Sequence, residues 1–273
     1  MSETREIPLV AVLINLVCLY LLEGLAFLIP HFTGGFQRGF FCGDETIHYK
    51  FKSSTVSDAA VIAYTIVLLI VMILLCELVV FVQGERAGYA QAGYVAQSVL
   101  TQIAKYSIGR LRPHFFDVCK PTGYTCTTPQ DYITNFVCTG NAAEVHEGRL
   151  SFFSGHSSTS FYASLFLVLY LQSRLGGHPW LFNGLPILQT LLMGTSAFVS
   201  YTRIFDNWHH WSDVLCGLII GSIIAIYTTV IWGGMFKAPL PAHEASPITS
   251  AKIRTIKIND SAGSYSESAR LDY

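Results

Sequence analysis

"SYTRIFDNWHHWSD", Ser200 to Asp213, packs one arginine, two adjacent histidines and two aspartates between two apolar runs, about 182–201 and 214–236. A helix of about 20 apolar residues crosses a bilayer core of roughly 30 Å. Each flanking run therefore reads as a membrane span, and the polar stretch as the turn that joins them at one membrane edge. Three more runs of this kind lie at about 9–29, 58–83 and 152–173. The first is too long for a signal-peptide core and has no small-residue cleavage site after it, so it reads as a retained anchor. The interval 85–104, "ERAGYAQAGYVAQSVLTQIA", is weaker: it carries Glu85, Arg86 and three glutamines, with small residues spaced as helix contacts require. The expected fold is all-α, a polytopic membrane bundle of six transmembrane helices. The third is short and weak, and the count is five if 85–104 does not cross.

Composition agrees: 51% of residues are hydrophobic and only 13% charged. The formal net charge of -1 gives no reason to expect nucleic acid as a partner. Cys18, Cys76 and Cys216 lie inside apolar runs, whereas Cys42, Cys119, Cys126 and Cys138 lie in polar segments. The last three have no CxxC spacing, which favours disulfides in an oxidising compartment over zinc, with the pairing left open. Glu23 and Glu77 fall within spans and are expected to face the bundle interior or to lie near an interface. Residues 1–237 form the expected membrane domain. Residues 238–273 read as a disordered cytosolic tail, so its sequon at Asn259 is expected to stay unused.

Two spans separate the polar groups near 154 from those near 203, and two crossings return the chain to the side it left. No span separates 112 from 152. Three polar clusters, at 105–113, 151–157 and 202–213, must therefore meet on one membrane face.

In "KYSIGRLRP", Lys105 to Pro113, helix positions seven apart differ by about 20°. Lys105 and Arg112 are thus expected on one face with Arg110 elsewhere, and Pro113 is expected to end the helix. Two such cations suit a phosphate; the plainer alternative is snorkelling toward lipid headgroups. "SFFSGHSS", Ser151 to Ser158, opens a span. A helix start offers unpaired N–H groups to an anion; Ser154 adds a hydroxyl, Gly155 lets the backbone approach, and His156 stands beside them. An ordinary serine cap with an interfacial histidine is the alternative here. In the opening stretch Arg203 ends one span, and His209 lies four residues before Asp213. On a helical turn that pair can hydrogen-bond, which fixes one ring nitrogen and leaves the other free as a nucleophile. His210 fits the same aspartate, and Trp208 and Trp211 also suit an interfacial aromatic belt.

These residues resemble the type-2 phosphatidic acid phosphatase superfamily, specifically its animal lipid phosphate phosphatase branch. That family carries the motifs K-x6-RP, PSGH and SR-x5-H-x3-D. Here they stand as Lys105…Arg112-Pro113, Ser154-Gly155-His156 and Arg203…His209…Asp213, and the similarity runs from about Gln37 to the last span. Phe153 replaces the proline, Thr202 replaces the serine, and the interval before Lys105 is shortened.

The resemblance implies dephosphorylation of lipid phosphate monoesters: phosphatidate, lysophosphatidate, sphingosine 1-phosphate and ceramide 1-phosphate. His209 would attack phosphorus and form a phosphohistidine, oriented by Asp213, and His156 would be the general acid. Lys105, Arg112, Ser154, Gly155 and Arg203 would hold the phosphoryl oxygens. No cofactor is implied: no metal ligand set is expected, and activity without magnesium is. The partners are the lipid substrates and the bilayer, with a homo-oligomer compatible. The implied location is the plasma membrane, with the active face extracellular or lumenal, the side that the cysteine-bearing loop 113–150 favours. The competing readings are a silent lipid-phosphate binder, a channel or transporter, and a phosphatase for soluble or polyprenyl phosphates.

Overall fold

The computed structural model describes residues 9–33, 35–68, 85–177 and 183–236. Cys76, Glu77 and the tail 238–273 lie outside the described residues. Among those described, six helices form the body. They are α1 (Leu9–Thr33), α2 (described over Asp58–Leu68), α3 (Glu85–Ile108), α6 (Gly155–Leu175), α7 (Gly184–Phe205) and α8 (Trp211–Ile226). The last continues as a π-helical turn, Tyr227–Trp232. Two short helices, α4 (Phe115–Cys119) and α5 (Ala142–Gly148), lie between α3 and α6.

The centre of the bundle is α6, which packs against α8, α7 and α3. Tyr162, Phe166, Leu167 and Tyr170 are completely buried on it. Small residues let α8 come close: Gly217, Gly221 and Ala225 recur every fourth position. A Cβ on Gly221 would strike the Ser158 carbonyl of α6, and one on Gly217 the Ser154 carbonyl. Inside lipid, helices gain little from leaving water, so close packing and interhelical hydrogen bonds must hold them. Ser196 of α7 supplies two such bonds, donating to the Ser160 carbonyl at 2.8 Å and contacting Ser164 Oγ at 2.6 Å. The outward faces carry exposed Ile187, Leu191, Phe198, Ile219, Ile223 and Ile231, an apolar coat that fits lipid rather than water.

Trp211–Trp232 is the one described helix both long and apolar enough to cross a membrane by length and composition. The weak interval before Lys105 is a continuous 24-residue helix, α3. At 1.5 Å per residue it is about 36 Å long. Its hydropathy is low because several polar side chains point into the bundle: Gln97 is 1% exposed, Ser98 8% and Thr101 4%.

The segment 113–150, expected as a plain surface loop, is more ordered than that. Strands β1 (Phe40–Phe41) and β3 (Tyr132–Ile133) pair antiparallel, as do β2 (Pro121–Thr122) and β4 (Val137–Cys138). Disulfides join Cys42 to Cys126 and Cys119 to Cys138. Phe40, Ile47, Leu111 and Phe115 form a small core beneath them. Elements of two to seven residues are too short to carry a legible apolar period, which is why the sequence reads as loop.

Candidate active site

The three motif clusters lie at one end of the bundle, where α1, α3 and α7 finish and α2, α6 and α8 begin. Lys105, Arg112, Gly155, His156, Arg203 and His209 line one cavity of about 410 Å³.

Lys105 rides the last turn of α3, which stops at Ile108. Gly109 turns the chain at φ +57°, and a Cβ there would strike the Phe36 carbonyl. The helix thus ends at Gly109 and not at Pro113, and Arg112 reaches the cavity from a loop rather than from the helix face it was assigned. Arg112 is 3% exposed; its Nη2 donates to Glu147 at 2.9 Å, and its guanidinium lies 4.7 Å over the Trp208 ring. Its Nε and Nη1 are buried with no hydrogen-bond partner among the described residues. Lys105 likewise forms no ion pair among the described residues.

Ser154 caps α6 through its side chain, which accepts from the Ser157 N–H and contacts Ser157 Oγ at 3.0 Å. It is fully buried and does not line the cavity, whereas Gly155 and His156 do. His156 Nε2 donates to the Val56 carbonyl at 3.0 Å, while Asp58 stands 3.5 Å from Nδ1. Arg203 is 1% exposed and held from three sides. Nη1 donates to Ser54 Oγ at 2.7 Å, Nη2 pairs with Asp206 at 3.4 Å, and Thr202 Oγ1 accepts from Nη2 at 3.1 Å. The hydroxyl of Thr202 therefore braces the guanidinium.

His209 departs from its expected partner. Its Nδ1 donates to the Ser151 carbonyl at 2.7 Å, and the nearest Asp213 oxygen is 3.9 Å away, beyond hydrogen-bond reach. Asp213 instead accepts from Ser151 Oγ at 2.6 Å, from Arg110 Nη1 at 2.5 Å and from the His210 N–H at 3.1 Å. The aspartate thus reaches His209 through Ser151. The turn between α7 and α8 explains this: His209 precedes α8 and Asp213 sits at its third helical position, so the assumed helical spacing does not hold. Arg110, pointing away from the cavity, is part of the same network. His210 lines a separate cavity of about 470 Å³ with Arg38 and Arg110.

With Nδ1 donating, the His209 Nε2 lone pair has no hydrogen-bond partner among the described residues. Burial, and then the charges of Arg112 and Lys105, hold the ring well below the usual imidazole pKa. It is therefore neutral near pH 7. His114, directly after the first motif, props the turn from behind: its Nδ1 donates to the Asn207 carbonyl at 2.8 Å, and its ring packs on Phe51 and Trp208. Among the described residues, no three His, Cys, Asp or Glu side chains group to hold a metal ion.

Residues 48–57, between α1 and α2, form a strap across this end that no motif announces. Ser54 and Val56 contact Arg203 and His156, Thr55 contacts Asp206, and the Lys52 carbonyl accepts from Trp208 Nε1 at 2.9 Å. The strap binds largely through backbone atoms, which carry no sequence signal. Asp58 alone, just ahead of an apolar run, hints at it.

Comparison with known proteins accords with this arrangement. A model of the PAP2 superfamily matches residues 87–236. The chain is 41% identical over 244 residues to phospholipid phosphatase 1 of Rattus norvegicus, covering 83% of this chain and 86% of that protein. It is 37% identical over 254 residues to phospholipid phosphatase 2 of Homo sapiens, covering 86% of each. A Caenorhabditis elegans phospholipid phosphatase homolog is 38% identical over 249 residues, with 81% of this chain and 72% of that protein covered. No solved structure matches significantly. The chain belongs to the PAP2 superfamily and, within it, to the animal phospholipid phosphatases.

Proposed function

We propose that this phosphatase removes phosphate from lipid phosphate monoesters, such as phosphatidate, lysophosphatidate, sphingosine 1-phosphate and ceramide 1-phosphate, through a phosphohistidine. The observation that carries the reading is the cavity itself: the two unpaired buried donors of Arg112, with Lys105 and Arg203, beside a neutral His209. Three cations lining one cavity suit the charge that spreads over phosphoryl oxygens in transfer. His209 Nε2 attacks phosphorus as the P–O ester bond breaks. His156 in its protonated form, with Asp58 3.5 Å from Nδ1, gives its Nε2 proton to the departing alkoxide. Water then attacks the phosphohistidine, returning a proton to His156 and releasing phosphate. Val56 O occupies the proton's direction in this structure, so bound substrate takes over that contact. No metal enters any step, and activity is expected without magnesium.

The membrane part of the proposal is a domain over residues 1–237 with six crossings. The exposed apolar faces support it, as does the alternation of helix ends at the active face. Two disulfides in the segments around that face support its lying outside the cell or in a lumen, with the plasma membrane as the site of action. The test is phosphate release from phosphatidate in detergent micelles with a chelator present. Release supports the reading, and a strict magnesium requirement counts against it.

A further inference from the structure

We infer that Ser98 and Gln102, on the wall of this cavity below the phosphate site, read the polar backbone next to the phosphate. They thereby favour lipid phosphates bearing hydroxyl, ester or amide groups there over plain alkyl phosphates. The inference rests on the phosphatase reading and adds to it a basis for selecting substrate.

Ser98, Gln102 and Lys105 occupy positions i, i+4 and i+7 of α3 and all line the cavity. At 1.5 Å per residue, Gln102 lies about 4.5 Å and Ser98 about 10 Å before Lys105 along the axis, toward the bundle interior. The neighbouring Gln97 and Thr101 on this wall are already satisfied. Gln97 Nε2 donates to Thr159 at 2.9 Å and its Oε1 accepts from Ser158 at 2.8 Å, while Thr101 Oγ1 donates to the Gln97 carbonyl at 2.8 Å. Ser98 and Gln102 form no hydrogen bond with the protein among the described residues. A polar side chain at membrane depth without a partner is costly, and leucine at either position would make a better spanning helix. Both line this cavity, where a ligand group can reach them.

What lines the rest of the cavity agrees. Apolar groups line the same cavity: the Tyr94 ring one turn beyond Ser98 on α3, Phe27 from α1, and Val61 and Ile62 from α2. Along α3 a cation, two hydrogen-bonding side chains and then an aromatic ring follow one another from Lys105 to Tyr94, which is the order of phosphate, polar backbone and chain in a glycerolipid or sphingolipid phosphate. An alkyl phosphate would leave Ser98 and Gln102 unpaired against its chain.

The experiment measures kcat/KM of the full chain in detergent micelles for two substrates, lysophosphatidate and hexadecyl phosphate, the latter with nothing polar between phosphate and chain. Wild type prefers lysophosphatidate, and Gln102→Met lowers that preference about tenfold. Ser98→Ala, a smaller change that threatens the fold less, lowers it several-fold. An active wild type without the preference, or a preference that neither variant moves, overturns the inference and leaves the phosphatase reading standing. A wild type inactive on both substrates overturns the phosphatase reading itself, and the inference with it.

Discussion

The Nδ1–H of His209 donates to the Ser151 carbonyl at 2.7 Å, so a backbone oxygen sets the tautomer of the proposed nucleophile. Asp213 acts one residue removed, by fixing Ser151 through its hydroxyl at 2.6 Å. Ser151→Ala keeps the carbonyl but loses the tie to the carboxylate. A hydrogen bond to a charged group contributes about 1.5–3 kcal/mol. We expect kcat to fall about tenfold to a hundredfold with KM changed less, measured by steady-state phosphate release. A kcat equal to wild type would show that Asp213 does not act through Ser151.

His114 makes part of the stability pH-dependent. Burial, the largest cause, pushes its pKa down to about 4, below the usual value of about 6.5. The unfolded chain therefore binds the proton more readily than the folded one. The contribution is fully present above about pH 6.5 and is lost as pH falls toward 4, a loss of at most about 3 kcal/mol. Thermal unfolding in detergent between pH 7 and 4.5 should show a falling midpoint, and His114→Phe should flatten the slope. An unchanged slope in that variant would remove His114 from the account.

Much of this architecture is legible in the sequence. Most of the long helices show as apolar runs, and counting them alone brings the three motifs to one end of the bundle. Spacing gives the cavity its cations and both histidines, yet it misleads about contacts. Counting seven residues from Lys105 assumes a helix that Gly109 ends, and counting four back from Asp213 assumes one that has not begun at His209. Both pairs cross a helix terminus, where periodicity fails. Strap contacts such as Val56 O to His156 run through the backbone, and the cysteine pairing depends on tertiary proximity; neither has a local signature.

The disulfides are expected to carry the stability of the segment between α3 and α6. The Cys42–Cys126 bond spans 84 positions and ties β1 and the strap's approach to that segment. Removing a native disulfide typically costs about 2–5 kcal/mol. Cys42→Ser should lower the unfolding midpoint, and reducing agent should lower wild type by more, because it also opens Cys119–Cys138. Cysteines 42, 119, 126 and 138 should resist maleimide labelling in unreduced, denatured protein. Labelling of all four there would contradict the pairing.

The most direct test of the account is rapid-quench labelling with phosphate-radiolabelled phosphatidate. Wild type should acquire an acid-labile, alkali-stable label on His209 within the first turnover, and His209→Gln should acquire none and release no phosphate. A His209→Gln protein that still releases phosphate, or that still takes up the label, would contradict the central claim.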